Sequence, residues 1–206
     1  MNKRIKRWEI ALGVGLLAAV LTGAFWEQTG RALSDNLLRL HVVARSDAAS
    51  DQALKLLVRD EVLGFVTPML SGVQTPEDAE RILADHLDDI EETARKTLRA
   101  HGCGDPVHAG LARTAFPTKT YDGFALPAGT YDALRIVIGE GQGQNWWCVV
   151  FPPLCMAAAE KVTSTAKSGG LNDSQIHLIT EDTETYVFTF QCLEWWNSIK
   201  MFFTGA

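Results

Sequence analysis

The stretch from 139 to 155, GEGQGQNWWCVVFPPLC, concentrates residue types that can do chemistry. Glycines at 139, 141 and 143 invite comparison with a phosphate-binding loop, but such a loop needs a helix directly after the glycines so that its free N–H groups can hold the anion. Here Asn145, Trp146 and Trp147 follow, and no Lys-Ser or Lys-Thr closes the motif. The glycines suit a turn after a strand instead. A cysteine nucleophile at Cys148 or Cys155 would need a base, and the five histidines (His41, His86, His101, His108 and His177) stand in no arrangement typical of a cysteine enzyme. Zinc calls for ligands in closely spaced pairs, whereas these are scattered. The sequence therefore points to no cofactor and no metal.

What remains is a staple and a surface. Cys148 and Cys155 enclose Phe151-Pro152-Pro153-Leu154, whose prolines restrict the chain and can bring it round in a turn. A bridge across so short a loop is worth about 2 to 3 kcal/mol by chain entropy. Adjacent residues of an extended chain face opposite ways, so one of Trp146 and Trp147 turns inward while the other points out. An outward indole beside Phe and Pro is the material of a recognition hot spot. On that reading Asn145, Trp146, Trp147, Phe151, Pro152 and Pro153 form a partner-binding surface; the alternative is that the rings are core.

The bulk properties narrow the setting. Lys3, Arg4, Lys6 and Arg7 precede an uncharged apolar run from Ile10 to Trp26, the pattern of an export segment that is either a cleaved signal or a retained N-terminal anchor. The formal net charge of the whole chain is −6, and it is more negative without the basic N-terminal cluster. Such a body repels phosphate backbones, which argues against a nucleic-acid partner. Export also makes disulfides the expected state of the four cysteines, with Cys103 and Cys192 left as a second candidate pair.

The elements that must position these residues follow from periodicity. LLRLHVVAR reads as a strand with Leu38, Leu40, Val42 and Ala44 on one face. A helix follows, with Ser46 or Ser50 as N-cap, and Thr67-Pro68 ends it. A second long helix opens with Thr75 as N-cap, Pro76 at its first position and Asp78 at the third, keeps an apolar stripe through His86 and Leu87, and stops at Gly102. The acidic run Asp85, Asp88, Asp89, Glu91, Glu92 is its solvated side. PVHAGLARTAF and TYDALRIVIGE alternate as strands, and ETYVFTFQCLEWW gives a last strand running into a short C-terminal helix. The expected fold is α+β: a mostly antiparallel sheet with two long helices on one face and a short C-terminal helix. Residues 1–33 form the export segment and linker, and 34–206 a single domain.

Two further sets deserve weighing. His41, Asp47, Arg59 and Asp60 could serve a cell-envelope hydrolase if they met in a cleft, although Asp47 is equally a helix cap and Arg59-Asp60 a surface pair. An anchored structural module is the other alternative, and no lipobox cysteine follows the apolar run. At the C-terminal end Trp196 joins the stripe that would pack on the sheet, while Trp195 and Phe202 fall on a surplus face suited to a membrane surface or a partner.

The stretches LRLHVVARSDAASDQALKLLVRDEVL, FPTKTYDGFALPAGTYDALRIVIGEG and QNWWCVVFPPLC together resemble the stage II sporulation protein R family, from about Leu37 to the terminal EWWNSI. Trp-Trp-Cys joined to Pro-Pro-Leu-Cys is the most specific of these. The chain departs from the family at Arg45, where Asn is more usual. The resemblance implies a non-enzymatic signalling protein made in the forespore and exported into the space between the forespore and mother-cell membranes. Its partner there would be a membrane-embedded, aspartic-type protease of the mother cell, which processes the sigma-E precursor, and no small-molecule substrate is implied.

Overall fold

The structure, a computed structural model, describes residues 7–156 and 161–180. Its elements run α1 (Arg7–Ser34), β1 (Leu38–Val43), α2 (Ala49–Met69), α3 (Pro76–Asp85), α4 (Leu87–Ala100), β2 (Val107–Phe116), β3 (Lys119–Tyr121), β4 (Phe124–Leu126), β5 (Gly129–Ile138), β6 (Asn145–Phe151), a 3-10 turn (Leu154–Met156), α5 (Val162–Ser168) and α6 (Asp173–Thr180). The α+β class is as expected. The four-stranded sheet has the order β2-β5-β1-β6 and is mixed: its outer pairs are antiparallel, but β1 and β5 at its centre run parallel. β5 inserts between β1 and β2, and the alternation within a single strand carries no information about which neighbour it will take. The expected last strand at 184–196 and the C-terminal helix with Trp195, Trp196 and Phe202 lie outside the described residues, as does Cys192.

The helical layer differs from expectation at two joints. Thr75 caps α3 as read, its hydroxyl accepting the Asp78 N–H at 3.2 Å, and Gly102 closes α4 at φ +75°, with the Cys103 N–H reaching back to the Leu98 carbonyl. Between them the single long helix is broken at His86. The His86 N–H turns back to the Leu83 carbonyl in a tight 3-10 bond, and Asp88 and Asp89 open the new helix, where acidic groups meet the positive end of its dipole. The apolar stripe runs unbroken across the joint through Leu83 and Ile90, so periodicity alone does not reveal it. In α2 neither serine is the N-cap. Ala48 holds that position, and Ser46 instead receives the Ala48 N–H and donates to Asp51. Pro68 sits within the last turn of α2, whose ladder resumes with the Leu70 N–H on the Val66 carbonyl.

Two cores result, one on each face of the sheet. On the first, Leu38, Leu40, Val42, Leu134 and Ile136 pack beneath Val58, Val62, Leu83, Ile90 and Leu98 of α2 to α4. Each such side chain fully buried contributes about 1.5–3 kcal/mol. On the second, Leu37, Tyr131, Ala133 and Val149 meet Leu33 at the end of α1, Phe124 and Leu126 of β4, and Val162, Ala166, Ile176 and Ile179 of α5 and α6. β1 is consequently buried along its whole length rather than on one face. The preceding helix α1 leaves Ile10, Leu12, Val14, Leu16 and Leu17 exposed. Among the described residues no helix is long and apolar enough to cross a membrane.

Candidate functional site

The glycine loop between β5 and β6 is clamped rather than open. The Gly143 N–H bonds the Ala44 carbonyl at 2.9 Å and the Gln142 N–H the Arg45 carbonyl at 3.2 Å. The Gln144 N–H bonds Asp47 Oδ1 at 2.8 Å, and Lys55 Nζ donates to the Gln144 carbonyl at 3.0 Å. A Cβ at Gly143 would come within 2.3 Å of the Ser46 carbonyl oxygen, so this glycine exists for close backbone approach. The loop amides are committed to protein acceptors, which leaves no cradle for a phosphate.

From there β6 runs antiparallel to β1, and its alternation sends the two indoles to opposite faces. Trp146 lies on the helical side, with the Arg59 guanidinium 4.2 Å above its ring. Trp147 lies on the other, stacked on His41 at 4.0 Å and edge-on to Phe116 at 4.7 Å. Both rings are half-buried, Pro153 likewise, and Asn145 is exposed. Phe151 and Pro152, expected on the contact surface, are buried, because the strand continues through Phe151 and both faces of the sheet are covered there. Cys148 and Cys155 are joined by a disulfide with Cα atoms 5.6 Å apart, which fastens the end of β6 to the 3-10 turn. Cys103 is a free thiol beside Asp105, its pKa raised by burial.

The centre of the second face is a cluster that the sequence pattern conceals. Arg39 is 0% exposed and has no ion-pair partner among the described residues. Its Nε donates to the Cys148 carbonyl at 2.8 Å and its Nη2 to the Tyr121 hydroxyl at 2.8 Å, which in turn donates to the Trp147 carbonyl at 3.0 Å. The guanidinium carbon lies 4.3 Å from the Phe116 ring centroid and 4.9 Å from that of Tyr131, and Nη1 is buried without a partner. Ring faces supply the negative potential that a carboxylate would otherwise give, worth about 2 kcal/mol per desolvated contact. Burial lowers the Arg39 pKa and the neighbouring tyrosines oppose that shift; the same burial raises Tyr121 and pushes Tyr131 up to about 12. The tyrosines are thus neutral hydroxyls that can donate and accept. In effect Arg39 and Tyr121 tie the backbone of the outer strand β6 to β1 and to the β3–β4 hairpin, which limits its freedom to pair with another chain.

Beside it, His41 is 5% exposed; its Nε2 pairs with Asn145 Oδ1 at 2.8 Å and its Nδ1 has no partner. Burial lowers its pKa, and the Arg135 charge adds to that. The four residues of the hydrolase reading do not converge. His41 belongs to this face, whereas Arg59 and Asp60 pair with each other on α2 across the sheet, and Asp47 is spent on the Gln144 amide. Among the described residues no three His, Cys, Asp or Glu side chains gather as a metal site. Of the acidic run, Glu91 and Glu92 pair with Arg95. Sequence reasoning missed Arg39, Phe116, Tyr121 and Tyr131; the only local hint is the unbroken apolar density around Arg39, in Leu37, Leu38 and Leu40.

Disulfide, clamped loop and buried aromatic–cationic cluster define a stapled α+β domain carried behind an apolar helix. The chain belongs to the stage II sporulation protein R family, whose model matches residues 34–161, and with that it has a role in sporulation. It is similar to stage II sporulation protein R of Bacillus subtilis (strain 168), 35% identical over 147 residues that make up 68% of this chain and 66% of that relative. The chain thus spans slightly less than two thirds of that relative's length. No solved structure matches it.

Proposed function

We propose that this protein is an exported signal of sporulation that acts between two membranes by activating a membrane-embedded, aspartic-type protease of the mother cell, and so triggers processing of the sigma-E precursor. The observation that carries the reading is the family match over 34–161, which takes in β1 to β6 and the Cys148–Cys155 bridge. A disulfide belongs to chemistry outside the reducing cytosol. The apolar stretch of α1 fits the export segment that brings the domain there, either cleaved or kept as its N-terminal anchor. The surplus face with Trp195 and Phe202 would add a weak hold on the mother-cell membrane, read out by flotation with anionic vesicles. The net negative charge disfavours nucleic acid as a partner. The test is co-expression of the full chain, the cognate protease and the sigma precursor in a host that does not sporulate. Cleavage that requires all three is expected. An intact precursor, with the chain exported and oxidised, would remove the reading.

A further inference from the structure

Residues paired in register share a face of the sheet. On the second face this gives His108, Gly110, Ala112, Thr114 and Phe116 on β2, and Tyr131, Ala133, Arg135 and Val137 on β5. Arg39, His41 and Val43 follow on β1, then Val149, Trp147 and Asn145 on β6. Among the described residues the second core roofs the end around Tyr131 and Val149, and the glycine loop covers Val43 at the other, where a Cβ on Gly141 would lie 2.6 Å from Val137 Cγ1. Between these covers, on β2 and β5, His108, Ala112 and Arg135 are exposed, Val137 is half-exposed, and a Cβ built on Gly110 would meet nothing within 4 Å.

The charge on this face has one sign. His108 and Arg135 are its exposed basic residues, Arg39 and His41 being buried, and none of its strand positions carries a carboxylate, although the chain as a whole has a net charge of −6. Arg135 has no ion-pair partner among the described residues. The adjacent acids are engaged: Glu91 pairs with Arg95 and accepts the Ala109 N–H, its other approach being 4.0 Å from His108 Nδ1, while Asp132 turns to the opposite face beside Arg113 at 3.6 Å.

We propose that this open part of the face is a docking surface for an extended, acidic segment of a partner protein, with a carboxylate on the Arg135 guanidinium, a second near His108, and an apolar side chain over Gly110 and Ala112 between them. A planar guanidinium takes a carboxylate through two parallel bonds, and the residue alternation of an extended segment matches the pleat below it. The proposal deepens the signalling reading by giving the chemistry of the partner's contact, and rests on it only for the partner's identity.

The probe is a fluorescein-labelled peptide of repeating Glu-Ser-Leu-Ser, whose glutamates and leucines share one face when extended, titrated by anisotropy with the full oxidised chain in mild detergent at low ionic strength. Binding is expected, weakened about tenfold by Arg135→Glu and left unchanged by Arg81→Glu, an equal charge change on the helical side. Equal binding by Arg135→Glu and wild type, or an equal loss in Arg81→Glu, overturns the proposal. So does concentration-dependent self-association that Arg135→Glu abolishes, since it would give the face to a second copy of the chain. In the co-expression assay, Arg135→Glu that loses the peptide yet still triggers cleavage overturns the docking surface and spares the signalling reading. Wild type that binds the peptide but triggers no cleavage does the reverse.

Discussion

The two faces of the sheet are covered by different physics. The face under α2 to α4 is a conventional apolar layer in which Leu40, Val42, Leu83 and Ile90 meet side chains of their own kind. The opposite face sets a buried guanidinium among Phe116, Tyr121 and Tyr131, then opens around Arg135 and His108. The first arrangement needs only hydrophobic periodicity and approximate volume. The second requires polar groups held at specific distances, and it is the one that leaves a surface free to meet a partner.

Neighbours on β1 give the largest test of this contrast. Leu40→Ala should cost about 2–5 kcal/mol through a lost side chain and its cavity. Arg39→Ala should cost about 3 kcal/mol, because it empties the site and strips donors from the Cys148 carbonyl and Tyr121. Arg39→Met, which keeps much of the volume and removes a buried charge, should cost clearly less than Arg39→Ala in denaturant unfolding of the oxidised protein. Equal losses in Met and Ala would show that the hydrogen bonds, and not the packing, hold this face.

Removing the staple comes next. Cys148→Ser with Cys155→Ser should lower stability by roughly 2–3 kcal/mol, seen as an earlier thermal transition, while the wild type shows a single free thiol among Cys103, Cys148 and Cys155 on labelling without reduction. Alkylation of Cys148 or Cys155 in the unreduced protein would exclude the bridge.

How far each face is legible in the sequence follows from where its determinants lie. Thr75, Pro76 and Gly102 mark helix ends because capping is local, and the Cys148–Cys155 pair is readable because only a short, proline-bearing loop separates its members. The joint at His86 escapes notice since Leu83 and Ile90 stay on one stripe across it. Arg39 reads as the solvated side of an alternating strand; its cover comes from β3–β4, α5 and α6, all remote in sequence. For the same reason Phe151 and Pro152 look like surface beside two tryptophans, although α5 ends against Pro152, where a Cβ on Gly169 would lie 2.3 Å from Pro152 Cγ. The open shelf around Arg135 becomes visible only once β2, β5, β1 and β6 are set in register.

Smaller effects sharpen the picture. Thr75→Ala on the helical layer should cost about 1 kcal/mol, the value of one N-cap, without affecting the opposite face. His41 supplies a pH signature specific to the second face. Its folded pKa is depressed by burial, so as pH falls below about 6.5 the unfolded chain takes up a proton that the native side chain resists. Stability therefore declines on that side, by no more than about 1.4 kcal/mol per pH unit from this residue. His41→Phe, which keeps a ring against Trp147, should flatten that part of the profile; an unchanged slope would show that His41 is not its source.

The division of labour between the faces is tested most directly by amide hydrogen exchange on the full chain, with and without the cognate protease in membranes. Added protection at residues 108–112 and 133–137, with α2 to α4 unchanged, is the predicted result. Protection confined to α2, α3 and α4 would contradict the account and place the partner on the helical layer.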